Sequence, residues 1–228
     1  MLPNAAMAKT ETIPDRDALK RVGNTVRKRL EADPRAYKVP TDKLELYGIG
    51  GFLTGAECER LVTMIDLVAQ PSELFKVDYS TGFRTSYSGN LNPHDPFIMG
   101  ISRRIDDLLG MKPETGEAIQ GQRYLPGQEF KPHNDWFYTT EEYWKLERKR
   151  GGQRSWTAMA FLNPVKQGGA THFTHAGLSI DPKPGALLVW NNADETGKPN
   201  EDAMHAGTPV LDGVKYIITK WYRTRKWG

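Results

Sequence analysis

The chain holds five histidines in 228 residues, and one of them, His133 in GQRYLPGQEFKPHNDWF, stands two positions before Asp135. An imidazole and a carboxylate are both ligands for divalent transition metals. Residues two apart on an extended strand point to one face, so the pair could aim at a common point. A third ligand must come from elsewhere, and His205 in DAMHAGTPVLDG, just ahead of a run that reads as a strand, is the candidate. Two histidines and one carboxylate on one side of a metal leave the opposite positions open, an arrangement that suits non-haem Fe(II) activating O2. The His-x-Asp pattern by itself arises often by chance. A turn histidine beside a solvated aspartate is the plain alternative.

The remaining histidines fit less well. His172 and His175 in GGATHFTHAG are separated by an odd interval, which sends them to opposite faces of an extended segment. His94 in NPHDP has Asp95 adjacent, but neighbouring side chains diverge, and the flanking prolines make a loop. A structural zinc site lacks a fourth ligand, because the single cysteine, Cys58, is far away in the chain. Lys215 opens the run KYIITKWYR, in which strand periodicity would bury every second residue. A lysine inside a barrel needs an anionic partner, which the far carboxylate of a dicarboxylate co-substrate would supply. Solvent exposure at the strand's start is the alternative.

These residues must be positioned by a mainly β framework. Residues 15–32 carry Leu19, Val22, Val26 and Leu30 at helical spacing among basic residues. Leu44, Leu46 and Tyr47 suggest a short strand. Thr54 and Glu57 have the spacing of a capping box ahead of Cys58, Leu61, Val62, Ile65 and Val68, which predicts a helix, and a second such pattern covers 96–111. From residue 117 onward short apolar or alternating runs, AIQGQRYL, SWTAMAFLN, GLSID, GALLVWN, AGTPVL and KYIITKWYR, are punctuated by Pro, Gly, Asn and Asp. That pattern predicts antiparallel strands. The expected fold class is α+β with a mainly β core: a double-stranded β-helix, or jelly roll, buttressed by N-terminal helices. Residues 1–45 read as a helical arm and 46–228 as the main domain. The charged segment 138–153 interrupts the strands and reads as a helical or mobile lid.

Bulk properties bound the function. Thirty-one basic and 28 acidic residues are interspersed and leave a net charge of +3, too mild to imply nucleic acid. No apolar stretch approaches bilayer length, the first twenty residues lack a secretory pattern, and Cys58 has no partner for a disulfide. The expectation is a cytoplasmic protein with no membrane contact.

Taken in order, these blocks resemble the 2-oxoglutarate- and Fe(II)-dependent oxygenases, and among them the prolyl 4-hydroxylase type. The resemblance runs from about residue 46 to 223 and is carried by YGIGGFLTGAEC, FRTSYSG, YLPGQEFKPHNDW, GGQRSWTAMAFLN, GGATHF and HAGTPVLDGVKYIITKWYR. It implies a double-stranded β-helix with Fe(II) on His133, Asp135 and His205. It also implies that Lys215, helped by Tyr124 and Thr157, holds the distal carboxylate of 2-oxoglutarate. Reaction with O2 would hydroxylate an unactivated C–H bond and release succinate and CO2, with ascorbate as a reductant.

Asp135 occupies a position that is a small residue in the related halogenases, which favours hydroxylation. Arg154, Arg84, Ser86 and Arg223 match substrate-side positions of the family, although some members have histidine where Arg223 stands. Trp136, Trp190 and Trp221 are aromatic candidates for the pocket wall, with Trp221 on the substrate side. The implied substrate is a prolyl residue in a peptide or protein. A free amino acid or other small molecule is the alternative, and a catalytically silent jelly-roll binding module is the alternative outside enzymes.

Overall fold

The computed structural model describes residues 15–73 and 82–228, so the first 14 residues of the expected arm lie outside it. Helix α1 (Arg16–Ala32) buries Leu19, Val26 and Leu30 on one face. Strand β1 (Ala36–Lys38) pairs antiparallel with β2 (Leu46–Ile49). Helix α2 (Gly55–Val68) begins at Thr54, whose hydroxyl accepts from the Glu57 amide while the Glu57 carboxylate accepts from the Thr54 amide. Both halves of the capping box are therefore made. After β3 (Gln70–Pro71) and β4 (Tyr87–Asn90), helix α3 (Pro96–Leu109) starts at Asp95, whose carboxylate takes the N–H groups of Phe97 and Ile98. It stops at Gly110, whose φ of 66° a residue with a Cβ rarely adopts.

The roll follows. Its strands are β5 (Gln120–Tyr124), β6 (Phe130–His133), β7 (Arg154–Phe161), β8 (Gln167–Gly168), β9 (Thr171–Phe173), β10 (Leu178–Ile180), β11 (Leu187–Asn191), β12 (His205–Gly207), β13 (Val210–Asp212) and β14 (Lys215–Arg223), with a short α4 (Trp144–Glu147) between β6 and β7. The larger sheet runs β1-β2-β11-β7-β14-β5-β4-β3, and the smaller runs β10-β9-β12-β6.

Helices cover one face of the larger sheet and the smaller sheet covers the other, so β7 is buried along its whole length. Alternation sorts its residues: Ala158 and Ala160, with Ile218 of β14, join the helix-side core, while Met159 and Phe161, with Ile217 of β14, join the core of the roll. Gly121 of β5 lets α2 approach closely, because a Cβ there would stand 2.3 Å from Ile65 Cγ1.

Two expectations change. The strand expected around residues 44–47 forms at Leu46–Ile49. The segment 138–153 is bolted to the end of β14: Trp144 and Glu147 are buried, and Arg223 donates to the Glu147 carboxylate and to the Gly152 carbonyl. Of its charges Glu147 serves as the tie, while Glu142, Lys145, Arg148, Lys149 and Arg150 stay exposed. Residues 15–45 join the same body, since β1 extends the larger sheet and Asp15 accepts from Gln153, Thr224 and Arg225. Among the described residues no helix is long and apolar enough to cross a membrane.

Candidate active site

Register brings the two imidazoles together. Antiparallel pairing of β12 with β6 sets His205 directly opposite His133, and their ring centres are 4.3 Å apart. Asp135 arrives by a different route from the strand alternation expected. β6 ends at His133, and a bend after it carries the carboxylate round. One donor atom from each of His133, Asp135 and His205 lies within 4.8 Å of the other two.

The ring nitrogens are assigned by their partners. His133 Nδ1 faces the Lys131 carbonyl at 2.9 Å, and His205 Nδ1 faces the Ala203 carbonyl at 3.0 Å. A carbonyl can only accept, so both Nδ1 atoms carry the proton and both Nε2 lone pairs are left for a metal. Burial, aided by His205, pulls the His133 pKa down to about 3, which keeps the imidazole neutral. Burial alone would raise the Asp135 pKa, but His205, His133 and Arg154, with a hydrogen bond from Thr157, hold it below the usual carboxylate range. Two imidazoles and one carboxylate are the donor set a divalent iron ion takes with positions to spare.

Lys215 enters the same cavity from β14, paired across the ladder with Tyr124. It is 2% exposed, its Nζ lies 5.3 Å from the Tyr124 ring centre, and it has no hydrogen-bonding or anionic partner among the described residues. Burial lowers its pKa to about 7. An unpaired buried ammonium beside a metal-binding donor set fits a dicarboxylate that reaches from one to the other. Tyr124 donates to Gln122 Oε1 at 2.8 Å, and Thr171, which sequence reasoning did not single out, also walls the cavity.

The resemblance-derived residues divide. Arg84, Trp190 and Trp221 line the cavity. Arg84 stacks over Phe130, donates to Ser86 and Gln120, and has no carboxylate partner among the described residues. Ser86 stands behind it, buried. Trp136 is buried against Tyr138, off the cavity wall. Thr157, expected on the co-substrate, donates instead to Asp135 Oδ2 at 2.7 Å.

Arg154 and Arg223, expected on the substrate side, are held in buried ion pairs. Arg154 grips Glu117 through two nitrogens at 2.7 and 2.8 Å and stacks 4.1 Å over Trp221. Arg223 spends its donors on Glu117, Glu147 and the Gly152 carbonyl. Burial would raise the Glu117 pKa, and the two guanidiniums override it. Glu117 and Glu147 carried no local signal, since each is an ordinary acidic residue until the fold supplies its arginine.

Residues 119–223 match the 2OG-Fe(II) oxygenase superfamily. Probable prolyl 4-hydroxylase 8 of Arabidopsis thaliana is 33% identical over 206 residues, covering 78% of this chain and 68% of that protein. The chain belongs to the 2OG-Fe(II) oxygenase superfamily. Within the superfamily it is also similar to prolyl 4-hydroxylase 1 of the same plant, 33% identical over 236 residues that cover 92% of this chain and 77% of that one. Among solved structures it resembles the viral collagen prolyl hydroxylase of Paramecium Bursaria Chlorella virus-1 in its 2OG complex, with a TM-score of 0.62 and 27% identity over 78% of this chain and 95% of that one. A prolyl hydroxylase from Trichoplax adhaerens shares the fold with a TM-score of 0.61 and 18% identity, covering 94% of each chain. The protein is thus a prolyl 4-hydroxylase-like dioxygenase that uses Fe(II) and 2-oxoglutarate, which sets aside the silent binding module.

Proposed function

We propose that the protein hydroxylates a prolyl residue within a peptide or protein. His133, Asp135 and His205 would hold Fe(II), and Lys215 with Tyr124 would hold the distal carboxylate of 2-oxoglutarate. The observation that carries this reading is the unpaired Lys215, buried in one cavity with the three donor groups. Bound there, iron and the keto acid supply the activation of O2 that ends in a hydroxylated C–H bond, succinate and CO2, with ascorbate as the supporting reductant. The chain's own residues do the rest. The two imidazoles and the ionised Asp135 orient the metal, the Lys215 ammonium orients the co-substrate, and Trp190 and Trp221 keep the cavity dry.

A peptide is supported by the relatives' names and by Arg84, whose guanidinium has donors to spare for backbone carbonyls. Arg154 would act from the substrate side by holding the Trp221 ring, with Ser86 and Arg223 supporting Arg84 and Glu117 from behind. We assign the chemistry to residues 46–228, with 15–45 as an N-terminal arm packed against them, and place the protein in a reducing compartment such as the cytoplasm because its one cysteine, Cys58, is buried and free.

The first test is an anaerobic titration of metal-free protein with Fe(II) and then 2-oxoglutarate. A visible charge-transfer band should form with the intact protein and not with Asp135→Ala or His133→Ala. Prolyl peptides and free proline are then compared by succinate release and product mass. Turnover of free proline with none of any peptide would replace the peptide reading by the small-molecule one.

A further inference from the structure

Asp135 lies beyond the end of β6, where no ladder hydrogen bonds fix the backbone that carries it. Its side chain is nevertheless anchored from two other strands. Thr157 of β7 and Asp135 Oδ2 are 2.7 Å apart, and Asn192, just past β11, places Nδ2 2.9 Å from Thr157 Oγ1. Both residues are almost fully buried, and neither lines the cavity.

The direction of these bonds follows from proton counting. An ionised carboxylate only accepts, so the single hydroxyl proton of Thr157 goes to Asp135. The hydroxyl oxygen is then an acceptor, and the Asn192 amide must present its nitrogen. That choice leaves Asn192 Oδ1 buried with no partner. Losing one acceptor's bond is a penalty the fold accepts in order to hold the donor in place. Asn192 itself is fixed at both backbone ends, its N–H donating to the Ser155 carbonyl and its own carbonyl accepting from the Asn200 amide. Thr157 is β-branched on a central strand, and its side chain has little rotational freedom.

We infer that Asn192 and Thr157 are positioning residues that act through Asp135. The Asn192→Thr157→Asp135 chain fixes the plane of the carboxylate and ties down Oδ2 by a charge-assisted bond. Oδ2 is the oxygen 3.9 Å from His205 Nε2, and the bond would orient the carboxylate toward a metal held with the two histidines. This inference rests on the reading of Asp135 as an iron ligand.

The test measures metal affinity directly, without turnover. Anaerobic Fe(II) or Co(II) titrations of the full chain are run on wild type, Thr157→Val, Thr157→Ser, Asn192→Ala and Asp135→Ala, with thermal melting of each metal-free protein. Thr157→Val should bind metal about 10- to 100-fold more weakly. Thr157→Ser, which keeps the hydroxyl, should stay close to wild type, and Asn192→Ala should show a smaller loss in the same direction. The affinity for 2-oxoglutarate at saturating metal should move little in Thr157→Ser.

Equal metal affinity in Thr157→Val and wild type would overturn the inference, as would an unchanged Asn192→Ala or a Thr157→Ser as impaired as the valine variant. If Thr157→Val does not fold, the serine and Asn192→Ala proteins still decide. Asp135→Ala separates the two readings: full metal affinity there removes the ligand assignment itself. Loss there with no loss in Thr157→Val removes only the positioning chain.

Discussion

Lys215 and Lys220 stand five residues apart on β14, each 2% exposed, and the odd interval sends them to opposite faces of the sheet. Lys220 faces α3, donates to Ser102 Oγ at 2.7 Å, and pairs with Asp106, which also accepts the Tyr222 hydroxyl at 2.6 Å. Lys215 faces the roll, with its Nζ over the rings of Tyr124 and Phe161 and no hydrogen-bonding or anionic partner among the described residues. Burial lowers both pKa values, but Asp106 opposes the shift at Lys220 and no described group opposes it at Lys215. The same residue type at the same depth is structural where the fold supplies a counter-charge. Where the fold withholds one, it is a binding group, because an unpaired buried ammonium is costly until an anion arrives.

The comparison breaks most sharply under mutation of the paired lysine. Lys220→Met should lose about 3–5 kcal/mol of stability, since Asp106 is left as an uncompensated buried charge. Lys220→Met with Asp106→Leu should recover most of it in urea unfolding. Lys215→Met should unfold no more easily than wild type while binding 2-oxoglutarate about 100-fold more weakly, or ~2.7 kcal/mol. Should the two single variants exchange these behaviours, the assignment of structural and binding roles is wrong.

Protons sharpen the contrast. Without co-substrate the Lys215 pKa is near 7 rather than the ordinary 10.5, so the unfolded chain binds more protons between those values. The Lys215 contribution to stability therefore rises with pH across that window, and its penalty is full below pH 7. A bound carboxylate favours the protonated lysine, so binding at pH 8 should take up about one proton. Calorimetry of 2-oxoglutarate binding in buffers of different ionisation enthalpy reads this, and a heat independent of buffer would count against Lys215 as the anchor.

The smallest effect belongs to the paired arginines. Glu147→Gln removes one of two carboxylates from Arg223 and should cost about 1–2 kcal/mol, with faster tryptic cleavage within 145–150. Cleavage no faster than in wild type would mean that Trp144 alone secures the segment.

Local signals were legible wherever neighbours in sequence are neighbours in space. The Thr54–Glu57 capping box and the helix over 96–109 follow from contacts three or four residues apart. His133 and Asp135 were visible as a pair, although a bend and not strand alternation joins them. Arg154 and Arg223 were legible as charges but their partner was not, because Glu117 lies 37 and 106 positions away from them. The bond from Thr157 to Asp135 had no sequence signal, because a strand residue's partner depends on which bend lies opposite, and no spacing rule encodes that.

The sequence by itself determined the chemistry on offer: two histidines and an aspartate as donors, a lysine opening a strand whose alternation could bury it, and the odd interval that turns Lys215 and Lys220 to opposite faces. Tertiary structure decided what each group meets. The pairing of β12 with β6 set His205 against His133, α3 brought Asp106 to Lys220, and no described residue brings a carboxylate to Lys215. Charge and periodicity belong to the residue and its neighbours in the chain, whereas the partner that gives a buried charge its role comes from a distant segment only when the core closes.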